Sequence, residues 1–189
     1  MRRSILALAL ATVLSLALSG AVAAGQATQT LGITGNVSFS SILGGSVNGI
    51  GSISGDVTDG QIGTLKGTVN FPLRDETLTV SPSTTLALVT DPYPINWSWF
   101  TGCDQFGCHF ISGTSIYQRR HAEGLVDVRL GQLKGSGYLS VNMYSGCISD
   151  CPPPFVFINP PVSGASLSGA VLGNKDAGTY QLWGQPVVN

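Results

Sequence analysis

The chain has 189 residues, of which only 10% are charged and 25 are Gly, and its formal net charge is −1. So few ions exclude a nucleic-acid partner, because phosphate contacts need clustered Lys and Arg and Arg119-Arg120 is the one basic pair beyond the N-terminus. An apolar fraction of 43% with so little charge also excludes a disordered chain. Solubility must rest on Ser, Thr, Asn and Gln.

The first element is an export signal. Arg2 and Arg3 precede an apolar run from Ile5 to Leu18, followed by small residues with an Ala21-Val22-Ala23 cleavage pattern. This reads as a cleavable signal peptide over residues 1–24. The run is short of the ~20 apolar residues a bilayer span needs, so no membrane span is expected in the mature chain. Without Arg2 and Arg3 the nine basic residues become seven against ten acidic ones, a formal net of −3. Residues 25–189 are expected to form one all-β domain that is secreted, periplasmic or displayed at the cell surface.

Beyond the signal, period-two patterns follow one another. Ile33, Gly35, Val37 and Phe39 alternate with Thr34, Asn36, Ser38 and Ser40; Ile53, Gly55 and Val57 alternate with Ser52, Ser54 and Asp56. Leu65, Gly67, Val69 and Phe71 repeat the pattern, as do Val126, Val128 and Leu130, then Leu139, Val141 and Met143. Alternation of this kind marks half-buried strands. Gly44-Gly45, Asp59-Gly60, "RRHAEG" and Gly173-Asn174 read as the turns between them. The expectation is an all-β antiparallel meander of about 8–10 strands forming a β-barrel, with a two-sheet β-sandwich as the alternative.

An apolar residue, any residue and Gly recur together inside these strands, at 33, 53, 65, 111, 133 and 167. Gly35, Gly55, Gly67 and Gly169 share the apolar face, where a missing side chain forfeits packing. Strong coiling of the sheet, or room for an aromatic from the opposite wall, is the preferred reason; a lined cavity for a small apolar ligand is the other.

Two segments rich in Pro, Trp and Cys, near 90–108 and 144–161, are expected to be disulfide-stapled loops against the sheet. Their aromatics Tyr93, Trp97, Trp99 and Phe100, with Trp183 further on, are the candidate contact residues. An even four cysteines in an exported chain favour two disulfides, and local pairing, Cys103 with Cys108 and Cys147 with Cys151, is preferred over cross-linking the loops. "CDQFGCHF" places four residues between its cysteines, against two in the haem-attachment motif. His109, His121 and Glu123 form a weak two-His, one-carboxylate metal candidate, although "RRHAEG" reads as a turn. No nucleophile elbow and no paired carboxylates suited to glycoside cleavage appear.

These readings converge on an exported, non-catalytic protein with no cofactor, acting by surface contact in the cell envelope or an extracellular assembly. Its expected partners are other envelope or extracellular proteins, or glycans. A binding module for a small apolar ligand or carbohydrate is the alternative, and a metal-dependent enzyme using His109, His121 and Glu123 is the second.

Overall fold

The computed structural model describes residues 28–154, 156, 159–174 and 176–189, so the expected signal segment 1–24 lies outside the described residues. Period-two alternation becomes ten strands: β1 (Gln29–Ser41), β2 (Ser46–Thr58), β3 (Gln61–Ile62), β4 (Leu65–Phe71), β5 (Arg74–Pro82), β6 (Val89–Asp104), β7 (Gly107–Leu130), β8 (Leu133–Ser149), β9 (Gly164–Leu172) and β10 (Ala177–Val188). All pairings are antiparallel. No helix occurs among the described residues.

The sheet closes on itself. Its order is β1-β10-β9-β8-β7-β5-β4-β2, and β1 pairs with β2 to complete a ring of eight strands. β3 hangs on β2, and β6 lies outside the ring, paired with β7. This ring is compatible with the expected barrel and with the two-sheet sandwich alternative. Leu31, Ile33, Val37, Ile53, Val69, Val80, Val126, Leu139, Val141, Leu167 and Leu182 fill the inside. Outward positions are Thr34, Asn36, Ser38, Ser52, Ser54, Thr68, Ser136 and Ser168, none of them buried. A polar outside over an apolar inside is the reverse of a barrel facing lipid.

The inward glycines explain how the ring coils. Gly35 lies opposite Gly184 on one side and Gly51 on the other, so three strands cross in a row without side chains. A Cβ at Gly35, Gly55, Gly67 or Gly169 would run into the neighbouring strand's carbonyl, that of Trp183, Thr64, Ser52 or Ser136 respectively. Gly137 and Gly169, themselves paired, also leave room for the Tyr180 phenol, which donates to the Ser136 carbonyl at 3.2 Å. Burial raises the pKa of that phenol. The aromatic comes not from the opposite wall, as expected, but from the neighbouring strand, where Tyr180 is paired with Gly169.

The two ends of the ring differ. Turns after β1, β4, β7 and β9 gather at one end. At the other, residues 83–88 cross the opening: Leu86 and Leu88 are buried, the Ile62 amide donates to the Leu86 carbonyl and the Leu88 amide to the Gly60 carbonyl. Of the expected turns, Asp59-Gly60 is one, with φ of 54° and 74°, the left-handed pair a tight hairpin needs.

Two expectations fail. "RRHAEG" is not a turn but the middle of β7, held between β6 and β8. The segment near 90–108 is not a loop either: Val89–Asp104 is a strand, and β8 runs on to Ser149. Pro92 and Pro94 disguised β6, yet an edge strand tolerates prolines because its outer amides have no ladder to join.

Both disulfides are local, Cys103–Cys108 and Cys147–Cys151. Twelve large apolar side chains are less than 2% exposed; at roughly 1.5–3 kcal/mol each, their burial far exceeds the about 2 kcal/mol a short-loop disulfide contributes. The core, not the bridges, carries the fold. Replacing Gly35 by Ala should therefore lower the unfolding free energy by about 1–3 kcal/mol. Gly146→Ala, where a Cβ meets nothing within 4 Å, should stay within about 0.5 kcal/mol. Chemical denaturation of both variants checks the contrast, and equal effects would refute the close-approach account.

Candidate functional site

β7 is long enough to serve two partners in turn. Its C-terminal part, Val126 to Leu130, pairs with β5 inside the ring, while Gly107 to His121 pairs with β6. β8 accompanies β7 only as far as Ile116. From there residues 95–115 run on as a two-stranded ribbon, roughly 30 Å long at ~3.3 Å per residue. Among the described residues, no third strand pairs with this part of the ribbon.

The two faces of the ribbon differ. On one, Tyr93, Ile95, Trp97 and Trp99 lie opposite Tyr117, Ser115, Gly113 and Ile111. Gly113 leaves space for the Trp97 ring, and the indole Nε1 donates to Ser115 Oγ at 2.8 Å. Ser115 is fully buried and passes the chain on to the Asp150 carbonyl at 2.8 Å. The segment after β8 thus covers this face through a satisfied polar link, as a buried hydroxyl requires. Val156 is buried in the same segment.

The other face ends in exposed aromatics. Phe100 and Phe110 meet edge to face, 5.5 Å between centroids, and a register shift after Phe100 leads into the tip. There Cys103–Cys108 ties the strands together, and Asp104 caps the turn by accepting from the Phe106 amide at 2.7 Å. The same carboxylate meets His109 Nε2 at 3.0 Å. Phe100, Phe106 and Phe110 are 51%, 85% and 62% exposed. All three phenyl rings of this end of the ribbon face solvent, Phe100 and Phe110 as a contacting pair and Phe106 in the turn beyond them.

At the base of the ribbon, Asp91 and Arg119 are opposite one another. The guanidinium donates to both carboxylate oxygens, at 3.0 and 2.7 Å, and lies 5.0 Å above the Tyr93 ring. Tyr93 in turn packs on Tyr144 of β8 at 5.2 Å, and His121 Nε2 approaches Asp91 at 3.4 Å. The hydrogen bonds from Arg119 hold the Asp91 carboxyl below its ordinary value, and Asp91 in turn raises Arg119.

The residues singled out in the sequence are thus divided. Tyr93, Trp97 and Trp99 are half-buried along the covered face, while Phe100 and Trp183 are exposed. Phe106 and Phe110 were missed, although a Phe inside a Cys-bounded turn is itself a signal of an exposed tip. His109 sits at the tip and His121 at the base, twelve residues along one strand, roughly 40 Å apart at ~3.3 Å per residue. The metal set with Glu123 is therefore not assembled: His121 turns to Asp91, and Glu123 faces Tyr138, whose phenol burial and that carboxylate together raise. No group of three metal-ligating side chains occurs among the described residues. The Cys103–Cys108 bridge also consumes both thiols that a haem thioether link would need.

Trp183 occupies a separate surface. It projects from β10 opposite Asn36 and Ser166 and borders a groove of about 330 Å³ with Ser140, Asn142, Tyr144 and Ser166. None of these five side chains is charged at neutral pH.

No family model matches this chain, and no curated protein or solved structure resembles it significantly. Among the described residues no helix is long and apolar enough to cross a membrane. Two disulfides suit an oxidising compartment.

The Asp91 pairing sets an acid dependence. A carboxyl whose folded pKa lies below its unfolded value, 3.8 here, stabilises the fold above that value and stops doing so as pH falls through the folded pKa. Wild-type protein should therefore lose more stability than Asp91→Asn between about pH 5 and the region below 3.8. Urea unfolding of both across that range checks it; parallel curves would remove the pair from the account.

Proposed function

We propose that this is an exported, non-catalytic protein that acts by surface contact in the cell envelope or an extracellular assembly, with the β6–β7 ribbon as its contact element. One observation carries the reading: Phe100, Phe106 and Phe110 are all exposed at the disulfide-tied end of the ribbon, beyond the ring. Apolar rings held in water at the end of a stiffened ribbon cost solubility and add nothing to the core. Clustered exposed aromatics mark contact sites, and aromatic anchors dominate the energy of most interfaces. The signal-like N-terminus and the uncharged Ser, Thr and Asn faces agree with work outside the cytoplasm.

The triple variant Phe100→Ser, Phe106→Ser, Phe110→Ser tests this. All three side chains are exposed, so the fold should survive with its melting temperature nearly unchanged. Association of the exported protein with the envelope or extracellular fraction should weaken at least about tenfold, given roughly 1.5–3 kcal/mol for each fully buried ring. Unaltered partitioning would refute the ribbon as the contact element.

A glycan-binding reading is favoured by Trp183 alone. A flat indole 53% exposed beside Ser140, Asn142 and Ser166 offers a sugar ring an apolar face with neutral donors and acceptors around it. Trp183→Ala should abolish any glycan-induced change in tryptophan fluorescence. Failure of every neutral glycan in a panel to change the wild-type signal would dismiss this reading.

A further inference from the structure

The end of the ring that carries the β1–β2, β4–β5, β7–β8 and β9–β10 turns opens into a cavity of about 610 Å³. This volume suits a small ligand, and barrel mouths are common places for one. Its apolar lining is Phe39, Phe71, Leu130, Leu133 and Leu172. Phe39, Phe71 and Leu130 are the last core residues before solvent, at 5–8% exposure, whereas Leu172 is 68% exposed. The turns around it add Ile42, Leu43 and Leu73, at 73%, 76% and 95%. Aliphatic side chains from three of the four hairpins thus stand in water at the same end, without a core of their own to join.

The charged groups at this mouth are unequally satisfied. Glu76 is paired with Arg74 at 3.0 Å. Asp176 accepts from the Ser41 hydroxyl at 2.6 Å and from the Ala177 amide at 2.8 Å. Lys134, also on the lining, has no acidic partner among the described residues. Asp176 is satisfied by neutral donors, so an apolar floor, an aliphatic rim and the unpaired Lys134 ammonium define the ligand by its chemistry.

We propose that this mouth binds an aliphatic carboxylate, with its chain on Phe39, Phe71, Leu130 and Leu172 and its head group on Lys134. The site lies at the turn-bearing end, whereas the ribbon leaves from the other, so it does not depend on the contact role of the ribbon. Chain burial supplies most of the affinity, in proportion to apolar area. The charge-assisted contact with Lys134 supplies the choice of sign.

Isothermal titration of the exported protein with laurate and with dodecylamine, ligands of equal chain length, tests the proposal. Laurate should bind saturably at one site, and dodecylamine at least about tenfold more weakly. Lys134→Gln and Leu172→Ser alter exposed side chains and leave the core intact. The first should weaken laurate at least about tenfold and the second should weaken both ligands. Phe110→Ser, on the ribbon, should change neither. Absence of saturable laurate binding below its micelle threshold, equal affinity for the amine, or unchanged binding in Lys134→Gln would each overturn the proposal.

Discussion

The close crossing of strands at inward glycines is the constraint on which the molecule depends. At Gly184, Gly35 and Gly51 three strands lie side by side with no side chain between the wall and its neighbour. A Cβ at Gly35 or Gly184 would meet backbone of the other strand, and one at Gly51 the Val37 side chain, so this approach is open to glycine. The apolar residues on either side, Ile33 and Val37 on β1 and Leu182 on β10, then meet across a narrow interior. Glycine here is a geometric choice: its lost packing is made good by backbone from the next strand or, at Gly137 and Gly169, by the Tyr180 hydroxyl.

Closure also separates the tasks of the chain. The ring buries the core and turns hydroxyl and amide side chains outward, so that uncharged polar groups cover much of its outer face. Elements that leave the ring carry what the ring does not need. β6 and the distal half of β7 use Trp97, Ser115 and the Asp150 carbonyl to lock one face, and Asp91 with Arg119 ties the two strands at the base. The exposed phenyl rings are thereby presented on a stiff support, not on a loop that would lose entropy on contact.

Much of this was legible in the residues. Alternation located most of the ring strands, Asp59-Gly60 announced its hairpin, and the even cysteine count in two tight clusters pointed to local bridges. What escaped detection did so for physical reasons. β6 was hidden because Pro92 and Pro94 speak against a central strand and are silent about an edge. "RRHAEG" looked like a turn because it is polar, yet Arg119, Arg120 and His121 are half-buried in the middle of β7, where two neighbouring strands, not local preference, impose extension. Phe110 could not be recognised as a partner of Phe100 until the register set the two opposite one another, and the mouth is assembled from hairpins scattered between residues 39 and 176.

A closed ring has a consequence for how copies of this chain can meet. Backbone amides and carbonyls that elsewhere offer a template for another strand are used up around the circle, so the wall of the ring cannot be extended by pairing. Open backbone remains along the ribbon. Its inner part is guarded by Pro92 and Pro94, whereas Ile95 to Thr101 contains no proline. Among the described residues, strand-by-strand growth of a polymer, whether useful or harmful, therefore has its natural starting points on the two edges of the ribbon, along Ile95 to Thr101 and along Gly107 to Ser115, beside the disulfide that keeps its two strands from parting.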